Sequence, residues 1–272
     1  MSGDWALAVL GDPLVFTRSP DLHRAGLAAL GLEGRSEALR TPVTGLRARL
    51  GELRQFGFRG ANLTHPLKKA VLRYLDHISD TARRARSVNT IGFAEDGTWG
   101  DTTDGRGFVD LLVSLGRDPV TERMLLFGGG GAARSLAVAL ADAGCTRLTV
   151  AVRDPRRSGL DWAGVPQAVL VPLGTSGEAG RLTDDVTVAV NCTPLDDATG
   201  PCAPSAMRSD VMVIDLVYGR EISSWTAAAR AAGMTAYDGL GLLVFQARRS
   251  IERWTGQPVP VEPLTRAVGW PR

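Results

Sequence analysis

Lys68 and Asp104 are the two residues whose types and surroundings point most directly to chemistry. Lys68 closes the stretch Asn62-Leu63-Thr64-His65-Pro66-Leu67-Lys68, and Asp104 stands near the end of Gly100-Asp101-Thr102-Thr103-Asp104-Gly105. Each stretch reads as a strand running into a loop that opens a helix. Each presents hydroxyl or amide groups and then one charge, and the two charges are opposite. An ammonium and a carboxylate delivered this way to one pocket form a pair able to move a proton. Soon after comes a glycine run, Gly128-Gly129-Gly130-Gly131, between the apolar strand Met124–Phe127 and an alanine- and leucine-rich helix opening at Ala132. Glycines there let the backbone turn sharply and approach a pyrophosphate, while the helix N-terminus supplies free N–H groups and the positive end of its dipole. The spacing is GxGG, on Gly128, Gly130 and Gly131, without the last glycine of the full fingerprint; the strand–loop–helix context carries the reading against a plain helix-opening turn. A proton-transfer pair followed by a nucleotide loop suggests a two-domain oxidoreductase.

Cofactor choice is read at the tip of the next strand, Val152-Arg153-Asp154-Pro155-Arg156-Arg157. Arginines there grip the 2′-phosphate of NADP, whereas an acid holds the ribose 2′-hydroxyl of NAD. Arg153 with Arg156 or Arg157 favours NADP. Asp154 leaves NAD open, and a solvated Arg/Asp turn is the plain alternative.

The elements that must position these groups follow from periodicity and turn chemistry. Strands are expected at Leu7–Leu10, Glu37–Arg40 and Gly60–Thr64, and a hairpin at Thr90–Gly100 turning at Asp96-Gly97. Helices are expected at Pro20–Leu30, with Ser19 as N-cap, at Thr44–Phe56, where Leu46, Leu50 and Leu53 recur at helical spacing, and at Pro66–Leu75. This first third alternates strand and helix and implies a mostly parallel sheet. Beyond Gly105 a helix runs to Leu115; then a βαβ unit (Met124–Phe127, Ala132–Ala143, Leu148–Val152) precedes strands at Val169–Val171, Val186–Asn191, Val211–Asp215 and Thr235–Tyr237 and a helix at Ser224–Ala232. A long helix, Leu242–Trp254, is expected to return to the first domain.

Bulk composition agrees with a globular α/β protein. A hydrophobic content of 44% and a charged content of 22% leave ample core over 272 residues. A net charge of +2 gives no argument for nucleic acid or a membrane surface as the main partner. The N-terminal apolar run stops at Gly11-Asp12-Pro13 and reads as a strand, not a signal peptide. Cys145, Cys192 and Cys202 form no CxxC, and His23, His65 and His77 lack metal-ligand spacing. Reduced thiols, no metal and a cytoplasmic location are the expectation.

Several further motifs now bring a family into view: Gly11-Asp12-Pro13-Leu14-Val15-Phe16-Thr17-Arg18-Ser19-Pro20-Asp21-Leu22-His23, Ser87-Val88-Asn89-Thr90, Asn191-Cys192-Thr193-Pro194, Asp215-Leu216-Val217-Tyr218, and Gly239-Leu240-Gly241-Leu242-Leu243-Val244-Phe245-Gln246. With the Lys68 and Asp104 stretches they occur in the order, and over essentially the whole length, in which the chain resembles the shikimate dehydrogenases with their quinate and amino-shikimate relatives.

That resemblance implies an N-terminal α/β substrate domain (1–103 with 240–272) and a Rossmann-type NADP-binding domain (104–239), the C-terminal helix returning to the first. It implies reversible reduction of 3-dehydroshikimate to shikimate in aromatic amino-acid biosynthesis, with Lys68 and Asp104 as the acid–base pair. Thr17 and Ser19 would bind the substrate carboxylate, and Asn62 or Thr64, Asn89 and Gln246 the ring hydroxyls. Tyr218 would sit near nicotinamide and substrate. The dinucleotide would be held by Gly128, Gly130, Gly131, Ala132, Arg153, Arg156, Arg157, Thr193 and Gly239. The partner is then a small molecule, with a homodimer left open.

Each residue also has a bland reading: Lys68 as a surface lysine beside Lys69, Asn89 as a turn stabiliser, Gln246 as an exposed helix residue, His65 as a solvated side chain. The chain departs from the family pattern at Phe16 (commonly histidine), Thr17 (usually serine), Thr102 (usually asparagine), Val152-Arg153-Asp154 (Asn-Arg-Thr in NADP-dependent members) and Gly219–Ser224, where the usual prolines are missing. An added methyl at Thr17 alters which ring substituents fit, which keeps quinate or an amino-shikimate as alternative substrates and NAD as an alternative cofactor. A non-catalytic sensor on the same fold would be expected to lack the Lys68–Asp104 pair.

Overall fold

A computed structural model describes residues 4–174 and 182–272, and among these the strands form two six-stranded sheets. The chain divides into two compact units, Met1–Phe108 with Leu243–Trp270 and Val109–Leu242 with Pro271–Arg272.

The first unit carries strands β1 (Trp5–Gly11), β2 (Gly34–Arg40), β3 (Gly60–Leu63), β4 (His77–Ile78), β5 (Thr90–Ala94) and β6 (Gly97–Asp101) in the order β2-β1-β3-β5-β6-β4. Strand β1 is parallel to β2 and β3, whereas β3–β5 and β5–β6 are antiparallel. With β4 parallel to β6, three of the five strand pairs are parallel, so the sheet is mostly parallel with an antiparallel hairpin set into it. The hairpin reverses direction so quickly, with Ala94 opposite Gly97, that β5 and β6 need no crossover. Its two central residues are Glu95 and Asp96, one position earlier than the Asp-Gly pair suggests. The short β4, parallel to β6, has no sequence pattern of its own.

Helices α1 (Ser19–Ala29), α2 (Leu46–Gln55), α3 (Leu67–Ala70) and α4 (Asp80–Ala85) belong to this unit. Leu46, Leu50 and Leu53 of α2 are buried and join Leu10, Ala61, Leu63, Leu67 and Ile91 in one core. The helix expected over Pro66–Leu75 is only one turn of α-helix, continued as a 3-10 turn over Val71–Tyr74. Leu67 and Val71, one turn apart, are both fully buried, so a single turn suffices to seat them before the chain extends again at Leu75. Helix α4 is an addition to the elements expected from periodicity, and Ser79 caps it by accepting from the Ala82 N–H.

The second unit is a parallel sheet of β7 (Arg123–Phe127), β8 (Arg147–Val152), β9 (Ala168–Pro172), β10 (Val188–Asn191), β11 (Met212–Asp215) and β12 (Ala236–Tyr237). Its order is β12-β11-β10-β7-β8-β9, every neighbouring pair parallel. Counted from β7 this is the 3-2-1-4-5-6 order of a doubly wound dinucleotide fold, which turns over between β7 and β10. The buried runs Met124–Phe127 of β7 and the whole of β10 and β11 are what a sheet covered on both faces requires. Helices α6 (Gly131–Asp142), α7 (Pro155–Trp162) and α8 (Ser224–Ala231) follow β7, β8 and β11.

Helices α5 (Asp104–Ser114) and α9 (Leu240–Thr255) contain the unit boundaries, and α10 (Val261–Val268) closes the first unit. Residues Leu243–Trp270 group with the first unit, as a returning helix should. Gly107 makes one approach possible: a Cβ there would lie 2.6 Å from the Gln246 backbone nitrogen and 2.7 Å from its Cα. Only a residue without a side chain lets the first turn of α5 meet α9 this closely. Gly107→Ala is expected to lower stability by about 1–3 kcal/mol, since both clashing atoms are backbone; urea unfolding against the wild type measures it.

Candidate active site

Asp104 is the first residue of α5 and Lys68 the second of α3. Lys68 Nζ donates to Asp104 Oδ2 at 2.6 Å. The aspartate side chain is 5% exposed and the lysine 23%, so the pair reaches solvent from the ammonium side. No other acceptor holds the Lys68 ammonium among the described residues, leaving N–H donors for an incoming oxygen.

The other carboxylate oxygen, Asp104 Oδ1, accepts from Asn89 Nδ2 at 2.7 Å. The same Nδ2 lies 3.2 Å from Gln246 Oε1, and Gln246 donates in turn to the Leu243 carbonyl. Thr103 N and Thr90 Oγ1 donate to Asn89 Oδ1, at 2.8 and 3.1 Å. Asn89 is therefore a buried partner of the ion pair and Gln246 a buried partner of Asn89, neither a mere turn residue nor an exposed helix residue.

Asn62 corrects an expectation. Its Nδ2 is within 2.9–3.0 Å of three acceptors, Asn89 O, Thr90 Oγ1 and Ser250 Oγ, and its Oδ1 is 2.8 Å from His23 Nε2. An amide with both ends engaged and the residue buried is a structural hub, not an open donor for a ring hydroxyl. Of the two alternatives, Thr64 keeps a half-buried hydroxyl with no partner among the described residues. Gly11 makes room for it: a Cβ at Gly11 would lie 2.3 Å from Thr64 Cγ2.

Ser19 corrects another. It is the first residue of α1, and Arg18 takes the cap position without a side-chain bond. The local bond comes from Thr17, whose Oγ1 accepts from the Ser19 N–H and donates to Ser19 Oγ, both at 3.2 Å. Two hydroxyls thus sit side by side at the opening of α1. Arg18 pins the loop from behind, donating to Asp21 Oδ2 at 2.7 Å and to the Ala267 carbonyl at 2.8 Å.

In the second unit, Gly128 adopts φ +107°, a conformation side chains disfavour, and a Cβ there would lie 3.0 Å from Thr193 Cγ2. Gly130 takes the N-cap position of α6, and Gly131 and Ala132 are its first two residues. Backbone N–H groups therefore gather where β7 meets β10. Thr193 is fixed by Asn191, which accepts from its N–H at 2.9 Å and its hydroxyl at 2.6 Å. Asn191 donates to Asp215 Oδ1 at 2.9 Å, and that oxygen also accepts from the Val217 N–H. Burial pushes the Asp215 carboxyl up from the usual range, against the N–H donors of Val217 and Asn191 that favour its charged form.

Tyr218 follows at the end of β11 and is half-buried. Gly239 N donates to Val217 O at 3.0 Å, and a Cβ at Gly239 would meet Leu216 O at 2.2 Å, so this glycine is a close backbone contact beside the Tyr218 segment. Arg272, which no sequence motif marks, donates to the carbonyls of Gly219, Arg220 and Glu221 and pairs with Asp238. It restrains the stretch that lacks the family's prolines.

The tip after β8 is a helix start rather than a solvated turn. Asp154 Oδ1 caps α7, accepting from Arg156 N at 3.0 Å and Arg157 N at 3.1 Å. Arg153, Arg156 and Arg157 are exposed, and no carboxylate pairs with their guanidinium groups among the described residues.

A parallel 3-2-1-4-5-6 sheet with a glycine turn and helix N-terminus at its reversal point defines the class: dinucleotide-binding α/β proteins. Comparison with known proteins narrows it. The shikimate dehydrogenase substrate binding domain matches residues 9–91, and the shikimate 5′-dehydrogenase C-terminal domain matches residues 239–268. An NADP(+) shikimate dehydrogenase of Moorella thermoacetica is 37% identical over 272 residues, covering 96% of this chain and 92% of the relative. That of Acidiphilium cryptum is 37% identical, covering 98% and 97%. The solved shikimate 5-dehydrogenase of Thermus thermophilus, in complex with NADP(H) and shikimate, superposes with a TM-score of 0.85 at 33% identity, covering 97% of this chain and 98% of that one. The chain belongs to the shikimate dehydrogenase family.

One titration follows from the geometry. Burial lowers the His23 imidazole from 6.5 to about 4. The unfolded chain takes up a proton below pH 6.5 that folded His23 refuses until about pH 4. The stability contributed by neutral His23 is thus complete above pH 6.5 and is lost as pH falls toward 4. Between pH 7 and pH 5 this one group is expected to remove about 2 kcal/mol. Urea unfolding at both pH values, with His23→Gln as the comparison, measures it; an equal pH dependence in the variant would contradict the assignment.

Proposed function

We propose that the protein catalyses the NADP-dependent, reversible reduction of 3-dehydroshikimate to shikimate. The observation that carries this reading is the Lys68 ammonium held 2.6 Å from a buried Asp104 carboxylate, with donors left over. Reducing a ketone builds negative charge on its oxygen. Lys68 stabilises that charge and delivers the proton, while Asp104, itself fixed by Asn89, keeps the ammonium aimed. In the oxidation direction the same pair receives the hydroxyl proton. The paired hydroxyls of Thr17 and Ser19 suit a carboxylate, and the unpartnered Thr64 hydroxyl suits a ring hydroxyl.

The dinucleotide, when bound, supplies or takes up the hydride. The residues fit it: the positive φ of Gly128 and the free N–H groups opening α6 suit a pyrophosphate. Arg153, Arg156 and Arg157 have guanidinium groups without carboxylate partners among the described residues, which suits a 2′-phosphate. Asp154, the one acid that would have argued for NAD, is engaged as a helix cap.

Steady-state turnover of shikimate and of quinate, each with NADP and with NAD, tests the assignment. Shikimate with NADP is expected to give the highest kcat/KM, and a strong preference for quinate with NAD would overturn it. Lys68→Ala should lose about a thousandfold in kcat; full activity in this variant would remove Lys68 as the proton donor. A combined Arg153→Ala and Arg156→Ala variant should lower the NADP-over-NAD ratio by at least about tenfold, read from the two KM values.

A further inference from the structure

The catalytic pair is one end of a longer array within the first unit. At its other end is His23 of α1, fully buried, 2.8 Å from Ser36 Oγ through Nδ1 and 2.8 Å from Asn62 Oδ1 through Nε2. Trp254 of α9 meets the ring edge-on at a centroid distance of 5.3 Å.

The direction of the bonds made by the two amides and the imidazole can be assigned. The Asn89 backbone carbonyl can only accept, so the Asn62 amide nitrogen must face it, at 2.9 Å. Asn62 Oδ1 therefore faces His23, and an oxygen acceptor requires a proton on His23 Nε2. His23 Nδ1 is then the acceptor and Ser36 the donor. On the far side, Asn62 Nδ2 donates to Thr90 Oγ1 at 2.9 Å, and Thr90 donates to Asn89 Oδ1 at 3.1 Å. The Thr103 backbone N–H donates to Asn89 Oδ1 at 2.8 Å, so the Asn89 amide must present its nitrogen to Asp104, and does so at 2.7 Å. The donors from Ser36 through His23 to Asn62 and on to Thr90 point one way, and the Asn89 amide donates to the carboxylate that holds Lys68. Aligned bonds of this kind polarise one another.

We propose that His23 is a positioning residue for the reaction: its Nε2–H satisfies Asn62 Oδ1 and so holds the Asn62 amide against the Asn89 carbonyl and Thr90, which keeps Asn89, the donor to Asp104, in place beside Lys68. The proposal rests on the reading of Lys68 and Asp104 as the working pair. Neutrality of the ring serves this role, because a neutral imidazole donates on one side and accepts on the other, which the array requires. Among the described residues the charge acting on His23 is that of Arg24 on its own helix, and β2, β3 and α9 present Ser36, Asn62 and Trp254. Burial and Arg24 both favour the neutral form.

The test compares His23→Phe, which keeps an aromatic ring against Trp254 but cannot donate, with His23→Gln, which retains an N–H. Each is made in the natural background and with Asp104→Ala. His23→Phe should lose about tenfold in kcat with the KM for shikimate within about twofold of wild type, and His23→Gln should recover most of the loss. In the Asp104→Ala background His23→Phe should cost nothing more, because the group it acts through is gone. The same loss in both backgrounds, or full activity of His23→Phe, would overturn the proposal. A nitrogen-15 NMR spectrum of the intact wild-type protein reads the array independently of folding in the variants and of turnover. The Nε2–H tautomer of His23 is expected, and an Nδ1–H tautomer refutes the array. A wild type inert toward shikimate would defeat the functional reading alone, while the tautomer would still decide the array.

Discussion

Asp104 places a carboxylate almost wholly out of water, and much of the first unit follows from what that demands. An unmatched buried carboxylate costs several kcal/mol, so each of its oxygens needs a donor and each donor needs its own far side satisfied. Lys68 answers one oxygen and Asn89 the other. Asn89 then requires donors at its Oδ1, supplied by Thr103 and Thr90, and Thr90 in turn lies against Asn62 and Ser250. The buried polar residues of β3, β5, α5 and α9 are thus consequences of one charge. The mixed sheet brings them together: the antiparallel β3–β5 pairing sets Asn62 directly opposite Thr90.

The second unit solves a different problem, holding loops at the carboxyl ends of parallel strands. There the organising groups are backbone amides and small side chains rather than a buried ion pair. Gly128 turns the chain, Asn191 ties down Thr193, and Asp215 joins the ends of β10 and β11. Arg272 then secures Gly219–Glu221 through three backbone carbonyls, with no proline needed. The described helices have their own roles, and none is long and apolar enough to cross a membrane.

What is legible in the sequence is local. Lys68, Asp104 and the glycine run announce themselves because residue type and immediate context suffice, and Leu46, Leu50 and Leu53 mark α2 by spacing alone. His23, Ser36 and Ser250 stay hidden because their significance depends on partners distant in the chain. For His23 the sequence offers a place at the end of the Gly11–His23 motif and no metal-ligand spacing, whereas its actual partners are a hydroxyl and an amide. Asn62 stands out by type and place, but which way an amide faces is decided by tertiary neighbours. Ser19 before Pro20 fits a cap by type, whereas in the folded chain Thr17 makes the local bond instead. The two-residue strand β4 is too short to leave any pattern.

Asp154 bears on attempts to redesign the cofactor preference of this protein. An engineer seeking NAD specificity would be tempted to treat it as a ready-made ribose ligand and simply delete the neighbouring arginines. Its carboxylate instead fastens the first turn of α7, the helix that carries Arg156 and Arg157. Recruiting it for a sugar hydroxyl would loosen that helix, so a new acid would have to be introduced at another position on the tip while Asp154 stays where it is.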